Sequence, residues 1–245
     1  FRTTDGGATY GQVAKLTAAG GGSFGYSVAI DGDTIVVGAY GDQGQTGAAY
    51  VFRTTDGWST YTEIKLTASD AASLDMFGYD VAIDGDAIVV SSHGDDDGAS
   101  SSGSAYVFRT SNGGATYVEV AKLTASDAAK QDGFGISVAI YGDTVLIGSF
   151  WDDDGGSASG SAYLFRTTDG GATYAQMAKL TAPDAAKDDY FGRSVAIAGA
   201  TVVVSADQDD DAGSKSGSAY VFAIASEALT DATISDAVDA WLADA

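Results

Sequence analysis

Aspartate carboxylates are the groups with the clearest chemical potential in this sequence, because they cluster in Gly- and Ser-rich stretches such as DDDGASSSGS. Ca²⁺ in proteins is held by carboxylate, carbonyl and hydroxyl oxygens, which these stretches offer in abundance. Aspartate is equally typical of solvated connecting loops that keep a protein soluble, so both interpretations stay open. The candidate calcium ligands are Asp95, Asp96, Asp97, Asp152, Asp153, Asp154, Asp207, Asp209, Asp210 and Asp211.

Side chains suited to catalysis are scarce. The sequence has no Cys and a single His, His93, which stands in the loop-like stretch SSHGDDD. A glycosidase needs two carboxylates in different environments, whereas the acids here recur at regular intervals, as scaffold residues do. The glycines adjoin hairpin turns rather than helix N-termini, so no phosphate-binding loop is indicated. The sequence therefore predicts a protein that is not an enzyme and has no catalytic residues.

The charge balance limits the partners. There are 34 acidic and 12 basic residues, which give a net charge of −22. Nucleic acids and anionic membranes bind cationic surfaces, and no stretch approaches the ~18 apolar residues of a membrane span. We therefore expect a protein or glycan ligand, without nucleic acid and without membrane insertion.

A repeat positions these loops. Phe24, Phe77, Phe134 and Phe191 each open a similar segment, as in FGYSVAIDGDTIVVGA and FGYDVAIDGDAIVVSS. Each unit holds four strand-like runs bounded by turn signals, and the Asp-Gly pair between the first two runs indicates a tight hairpin. Both faces of the runs are apolar or small, which is typical of sheets that stack face to face. Such units describe the blades of an all-β propeller.

The two ends of the repeat region predict how the propeller closes. Residues 1–23 supply only a fourth strand, and residues 191–222 supply only the first three. We expect a domain over residues 1–222 with four blades of four antiparallel strands: 24–76, 77–133, 134–190, and 191–222 completed by 1–23. Val13–Thr17 would then pair with Ser218–Phe222. The rival is half of a larger ring, completed by further residues or by a second chain.

The repeat FGYSVAIDGDTIVVGA followed by GSAYVF resembles the FG-GAP repeat of integrin α-subunit propellers and their bacterial and algal relatives. The resemblance implies an extracellular or cell-surface protein that acts in adhesion or ligand binding. Most relatives have more than four blades, which keeps the larger ring open. The calcium loop of integrin-type repeats joins the first two strands, where this chain has only a two-residue turn. A turn of that length cannot supply the ~6–8 oxygens that Ca²⁺ needs, so the calcium site of the family does not carry over.

The turn between the third and fourth runs resembles an Asp-box. TTDGGATY occurs at residues 3–10 and 167–174, with variant forms at 54–61 and 110–117. In sialidases and related propellers this box is a structural hairpin. The resemblance implies a structural role for Asp5, Asp56, Asn112 and Asp169.

Residues that occur in one repeat only are the candidates for ligand binding. Trp151, Tyr190 and Arg193 break the consensus and should all lie on the face that carries the acidic loops. Together they could bind a ligand such as a glycan by stacking, or they could be packing differences among the repeats. Residues 223–245 differ in character, and Ile234, Val238, Trp241 and Leu242 predict a short amphipathic helix after a linker.

Three functions remain open from the sequence. The first is a non-catalytic adhesion or assembly module at a cell surface, with or without calcium. The second is a carbohydrate-binding or glycan-processing propeller. The third is a structural subunit of a larger complex or of a dimer.

Overall fold

The computed structural model describes residues 7, 9, 11–20 and 22–224. These residues form fifteen strands in four antiparallel sheets. The first sheet holds β1 (Val28–Asp31), β2 (Thr34–Ala39), β3 (Ala48–Arg53) and β4 (Thr62–Leu66). The second holds β5 (Val81–Asp84), β6 (Ala87–Ser92), β7 (Ser104–Arg109) and β8 (Val118–Leu123). The third holds β9 (Ser137–Tyr141), β10 (Thr144–Ser149), β11 (Ser161–Arg166) and β12 (Ala175–Leu180). The fourth holds β13 (Phe191–Ala198), β14 (Thr201–Ala206) and β15 (Ser218–Ala223).

In every sheet the strands lie in chain order, as in the blades of a propeller. A helical turn, α1 (Asp42–Gln45), is the one helix among the described residues. The all-β class and the four repeated antiparallel sheets are therefore confirmed. The predicted C-terminal helix lies outside the described residues, which end at Ile224.

Successive sheets stack face to face, and this contact forms the core. Val81 of the second sheet packs with Val36 and Val51 of the first, and Val138 of the third packs with Val107 of the second. The phenylalanine that opens each later repeat is fully buried, and Phe77 lies edge-on to Tyr106 at 5.4 Å between ring centroids. The alternating large side chains of the sequence therefore fill the space between sheets.

Glycine permits the backbone of one sheet to touch the next. Gly47 has φ +90° and forms a parallel bridge with Phe77. A Cβ atom on Gly47 would lie 2.0 Å from the carbonyl oxygen of Phe77, so no other residue fits there. The same close approach recurs between Gly160 and Phe191. The repeated Gly before the third strand is thus explained by contact between sheets.

The predicted pairing of Val13–Thr17 with Ser218–Phe222 is not found among the described residues. β15 pairs only with β14, and Val13–Thr17 form no strand. Val28 in the first sheet is 66% exposed, whereas its counterpart Val81 is 5% exposed. Val221 in the fourth sheet is 69% exposed, whereas Val107 is fully buried. The stacking of four sheets does not bring the first against the fourth, so each keeps an open face.

Candidate functional site

The loops between second and third strands share one face of the molecule with the loops between sheets. Asp95 follows β6 and Asp70 follows β4, yet both accept a hydrogen bond from the Tyr106 hydroxyl, at 2.7 and 2.8 Å. Antiparallel strands reverse direction at each turn, which brings these two kinds of loop to the same end. We call this end the loop face. It carries the acidic stretches, as the sequence predicted.

On the loop face of the second sheet, three carboxylates surround a lysine. The Lys122 Nζ lies 2.7 Å from Asp70 Oδ2 and 2.9 Å from Asp95 Oδ2, and it also contacts Asp97. Lys122 stands opposite Tyr106 in the β7–β8 ladder, with its ammonium 5.3 Å from the ring centre. We call this arrangement the lysine–aspartate cluster.

Charge pairing sets the protonation of this cluster. Burial lowers the pKa of Lys122, but hydrogen bonds with Asp70, Asp97 and Asp95 outweigh burial and hold that pKa above its ordinary value. Burial raises the pKa of Asp70, but hydrogen bonds from Lys122 and Tyr106 outweigh it and hold that pKa below the ordinary value. Lysine therefore stays charged and acts as a built-in cation among the carboxylates.

The third sheet repeats the cluster with the same geometry. The Lys179 Nζ lies 2.7 Å from Asp127 Oδ2, 2.9 Å from Asp152 Oδ2 and 2.5 Å from Asp154 Oδ2. The Tyr163 hydroxyl donates to Asp152 at 2.7 Å and to Asp127 at 3.0 Å. The arrangement is therefore part of the repeat.

The first sheet has a reduced cluster. Lys65 lies 2.7 Å from Asp42, which also accepts a hydrogen bond from Tyr50 at 2.7 Å. Gly20 and Gly44 stand where the second sheet has Asp70 and Asp97, and a Cβ on Gly20 would lie 3.4 Å from Asp42 Oδ1. In the first sheet the charge of Lys65 is therefore paired with the single carboxylate of Asp42 rather than with three.

The fourth sheet has the carboxylates without the lysine. Oxygens of Asp184, Asp209 and Asp211 lie within 4.8 Å of one another. The Tyr220 hydroxyl donates to Asp184 at 2.8 Å and to Asp209 at 2.6 Å. Repulsion from Asp209, followed by that from Asp184, raises the pKa of Asp211. Among the described residues, no lysine reaches this group.

Three groups of carboxylates are thus close enough together to hold a cation: Asp70, Asp95 and Asp97; Asp127, Asp152 and Asp154; and Asp184, Asp209 and Asp211. In the first two, a metal ion would have to displace an ammonium that already touches all three carboxylates. Their fit to Ca²⁺ is therefore poor while the lysine is in place, and only the third group leaves its oxygens to a cation from elsewhere.

The other predicted ligands have different surroundings. Asp96 accepts a hydrogen bond from the Ser101 backbone at 2.6 Å, and Asp153 accepts one from Ala158 at 2.7 Å, so both close their own loops. Asp207 lines a cavity, and the Asp210 carbonyl accepts from Gly213. The sequence missed Asp70, Asp127 and Asp184 as cluster members. The sequence did contain a signal for these residues. Lys122 and Lys179 are separated by the same number of residues as Asp70 and Asp127, so the lysine and the aspartate recur together in the repeat.

A second feature of the loop face is an aromatic cavity. Trp151, Tyr190 and Arg193 line a cavity of about 490 Å³ together with Tyr79, Ile136, Phe150, Asp207 and Gln208. The Arg193 guanidinium lies 4.9 Å from the centre of the Phe150 ring, which also contacts Trp151 and Tyr190 at 4.2 and 5.1 Å between centroids. The structure therefore brings together the three residues selected from the sequence.

The cavity is lined by positions at which the repeats differ. Tyr26, Tyr79, Ile136 and Arg193 occupy the same place after the FG pair in successive repeats. Burial, followed by the hydrogen bond with Tyr26, raises the pKa of Tyr79 to about 12, so its hydroxyl stays protonated. Trp151 also lines a neighbouring cavity of about 680 Å³ that His93 and Asp153 share. Burial lowers the pKa of His93 to about 4, so its ring is neutral near pH 7.

Comparison with known proteins decides the family. The family described as FG-GAP repeat matches residues 10–52, 61–108, 117–165 and 174–222, which is more than half of the chain. The chain belongs to the FG-GAP repeat family. The matched units 61–108, 117–165 and 174–222 of this FG-GAP chain each join one fourth strand to the first three strands of the next sheet, as in β4 with β5, β6 and β7.

Two solved structures are similar to this chain at low identity. A protein from Bacteroides uniformis described as a candidate 6-phosphogluconolactonase is 12% identical, with a TM-score of 0.50 over 81% of this chain and 53% of that chain. Sqt1 from Saccharomyces cerevisiae is 10% identical, with a TM-score of 0.45 over 78% of this chain and 44% of that one. The FG-GAP chain therefore spans about half the length of these proteins. No curated protein matches it.

The Asp-box turns lie at the end opposite the loop face. Asp56 accepts hydrogen bonds from the Thr60 backbone at 2.9 Å and from its hydroxyl at 2.7 Å. Asp169 accepts the same two hydrogen bonds from Thr173. Asn112 accepts one from the Thr116 backbone and donates one from its side-chain amide to the Thr116 hydroxyl. These hydrogen bonds close hairpins. Asp5 lies outside the described residues. In the part of the chain that the structure describes, no helix is long and apolar enough to cross a bilayer.

Proposed function

We propose that this FG-GAP chain is a non-catalytic binding module of the extracellular or cell-surface kind, and that the aromatic cavity on its loop face binds a glycan. One observation carries the proposal. The residues that occur in one repeat only, Trp151, Tyr190 and Arg193, converge on a single cavity, whereas the repeated residues form the strands, turns and clusters.

The lining of the cavity suits a sugar. Trp151 is 41% exposed and offers a ring face on which an apolar sugar face can stack. Arg193, Asp207 and Gln208 stand around it with hydrogen-bond donors and acceptors for hydroxyl groups. A few convergent polar groups in an aromatic wall are typical of small-ligand sites.

Two features favour binding over catalysis. Asp207 is the one carboxylate that lines this cavity among the described residues, whereas glycoside hydrolysis needs a pair. The neighbouring carboxylates are held in ion pairs by Lys122 and Lys179. The adhesion function predicted from the sequence is compatible with this site, since adhesion to a glycosylated surface would use the same cavity.

A glycan array probed with the 245-residue chain tests the proposal. We expect at least one bound glycan class, and Trp151→Ala should weaken binding about tenfold, because it removes the stacking surface. Trp58→Ala is the matched control, since Trp58 lies in the Asp-box turn of residues 54–61 at the opposite end. If the chain instead captured a protein ligand, and Trp151→Ala abolished that binding, the site would stand but its ligand would be a protein rather than a glycan. Binding that Trp151→Ala leaves unchanged would overturn the assignment of the site.

A further inference from the structure

The fourth sheet lacks the partner that the repeat provides elsewhere. In the second and third sheets, β8 and β12 pair with β7 and β11 and place Lys122 and Lys179 opposite Tyr106 and Tyr163. β15 carries Tyr220 at the same position, but no described strand pairs with its outer edge. The carboxylates of Asp184, Asp209 and Asp211 gather around Tyr220 without a lysine.

The missing strand has a sequence counterpart at the other end of the chain. Residues 13–18 read VAKLTA, identical to residues 120–125 of the second sheet, so Lys15 corresponds to Lys122. Leu16 and Ala18 pack against the first sheet, as Leu123 and Ala125 pack against the third. Residues 11–18 therefore lie where a fourth strand belongs, without the three strands it should pair with. Lys15 is exposed.

The two open faces are halves of an interface that the chain already makes three times. Between the second and third sheets, Val107 is fully buried and Val138 is 6% exposed in one cluster. The corresponding residues at the ends are Val221 on the fourth sheet and Val28 on the first, at 69% and 66% exposed. We call the surface of Val221, the β15 edge and the Asp184 group the back face. The surface of Val28, Ile30 and residues 11–18 is the front face.

We infer that the back face binds the front face of a second copy of this chain. Residues 13–17 of the second copy would pair with β15, and its Lys15 would enter the group of Asp184, Asp209 and Asp211. The two faces are complementary in charge and in shape. The three contacts between successive sheets within the chain already bury residues of the same kind against each other. Within one chain the two faces do not meet, so the occupant comes from another molecule.

Two copies joined in this way can form a closed ring with no open sheet face left over. The described part of each chain has one strand-like segment without a partner and one three-stranded sheet, so the described parts of two copies would make eight complete sheets and two equivalent contacts. Head-to-tail contacts of this kind form a ring when the rotation closes.

The first test is the mass in solution. Size-exclusion chromatography with light scattering should give twice the 24.7 kDa of one chain. Lys15→Glu should weaken association at least about tenfold, because it replaces the counter-charge of three carboxylates with a fourth acid. Lys130→Glu makes the same charge change at a lysine outside all the clusters and should leave the mass unchanged. Thermal unfolding should show both variants folded, since Lys15 and Lys130 are exposed.

Mixing experiments test the head-to-tail arrangement. Val28→Glu disables the front face and Val221→Glu disables the back face, so each variant alone should be monomeric. A mixture of the two should form a dimer through the one pair of intact faces. A self-complementary interface would not be restored by mixing, and that result would overturn the inference.

Cross-linking identifies the occupant. A zero-length carbodiimide reagent should join Lys15 to Asp184, Asp209 or Asp211, and a mixture of ¹⁴N- and ¹⁵N-labelled chains should give cross-linked peptides of mixed isotope. Peptides of one isotope only would show that a chain closes on its own end and would overturn the second copy. A monomeric mass at all concentrations, or open-ended oligomers, would also overturn the two-copy ring.

Discussion

A lysine surrounded by three carboxylates is a repeated structural feature of this fold. Lys122 touches Asp70, Asp95 and Asp97, where an acidic loop of this composition suggests a metal ion. Because the ammonium comes from the neighbouring strand, it fixes the loop to the sheet as well as balancing its charge. The acidic loops are therefore structural joints rather than solvated connectors alone.

Removing that lysine should convert the cluster into a calcium site. Lys122→Met keeps the length of the side chain but leaves three carboxylates facing one another, which should cost about 2–4 kcal/mol of unfolding free energy. Millimolar CaCl₂ should restore much of this loss by binding the folded state. The measurement is thermal unfolding with CaCl₂ against NaCl of equal ionic strength.

Lys65→Met is the control for this prediction. Asp42 is the carboxylate that contacts Lys65, and glycines replace the other two, so this variant should be destabilised without rescue by calcium. If calcium stabilised both variants equally, or neither, the three carboxylates of the second sheet would not form a cation site.

At the scale of the elements, the Asp-box turns stabilise the hairpins at the opposite end. Asp169 accepts hydrogen bonds from the Thr167 hydroxyl at 2.7 Å and from the backbone and hydroxyl of Thr173 at 2.9 and 2.6 Å. These bonds, that from the Thr173 hydroxyl first, hold the pKa of Asp169 below its ordinary value. The turn is therefore closed most firmly when Asp169 is ionised.

Substitution at Asp169 should follow the example of Asn112. Asn112 bonds to the same two groups of Thr116, with its amide donating to the hydroxyl, so Asp169→Asn should change the melting temperature little, whereas Asp169→Ala should lower it clearly. The folded pKa of Asp169 lies below the unfolded value of about 3.9, so its stabilisation is present above that pH and is lost as pH falls through the folded pKa. Unfolding curves below about pH 4 should therefore lose stability more steeply for the wild type than for Asp169→Asn. Equal damage by Asn and Ala would contradict this account.

Sequence patterns predicted each hairpin but not its register. The Asp-Gly pair suggested a turn centred on Asp31 and Gly32, whereas the ladder pairs Asp31 with Thr34, so Gly32 and Asp33 form the turn. Asp31 stays in the strand, where its carboxylate accepts a hydrogen bond from Gly85 of the next sheet at 2.7 Å. The register depends on a contact between sheets, which alternation within one strand cannot reveal.

The candidate site, like the hairpins, was predicted only in part from the sequence. The aromatic residues were found because they break a repeat, and deviation from a repeat is visible in a single sequence. The lysine–aspartate cluster was missed because Lys122, Asp70 and Asp95 come from three different segments. Only the ladder that sets Lys122 opposite Tyr106 brings them together.

For the whole molecule, the repeat predicted four stacked sheets, whereas the strand pairing predicted to close the ring is not found among the described residues. Closure depends on the angle between successive sheets, and this angle is set by many small packing contacts rather than by any motif. The exposure of Val28 and Val221 reports the outcome directly. A repeat does show which residues form the contact between one sheet and the next. The same residues then identify the surfaces that are left open on the first and fourth sheets.

The net charge of −22 should make the stability of the whole molecule depend on salt. Carboxylates crowded on one face repel one another, and unfolding lets them move apart, so screening should raise the melting temperature as NaCl is added. In an Asp209→Asn background, which removes a carboxylate from the group that has no lysine, CaCl₂ at equal ionic strength should give the same rise, because Lys122 and Lys179 already occupy the two complete clusters. Differential scanning calorimetry across matched NaCl and CaCl₂ series measures this, with Lys122→Met/Lys179→Met as the variant that should respond to calcium in excess of NaCl. A calcium-specific rise in that Asp209→Asn background would show that calcium displaces the lysines and that the two complete clusters bind metal.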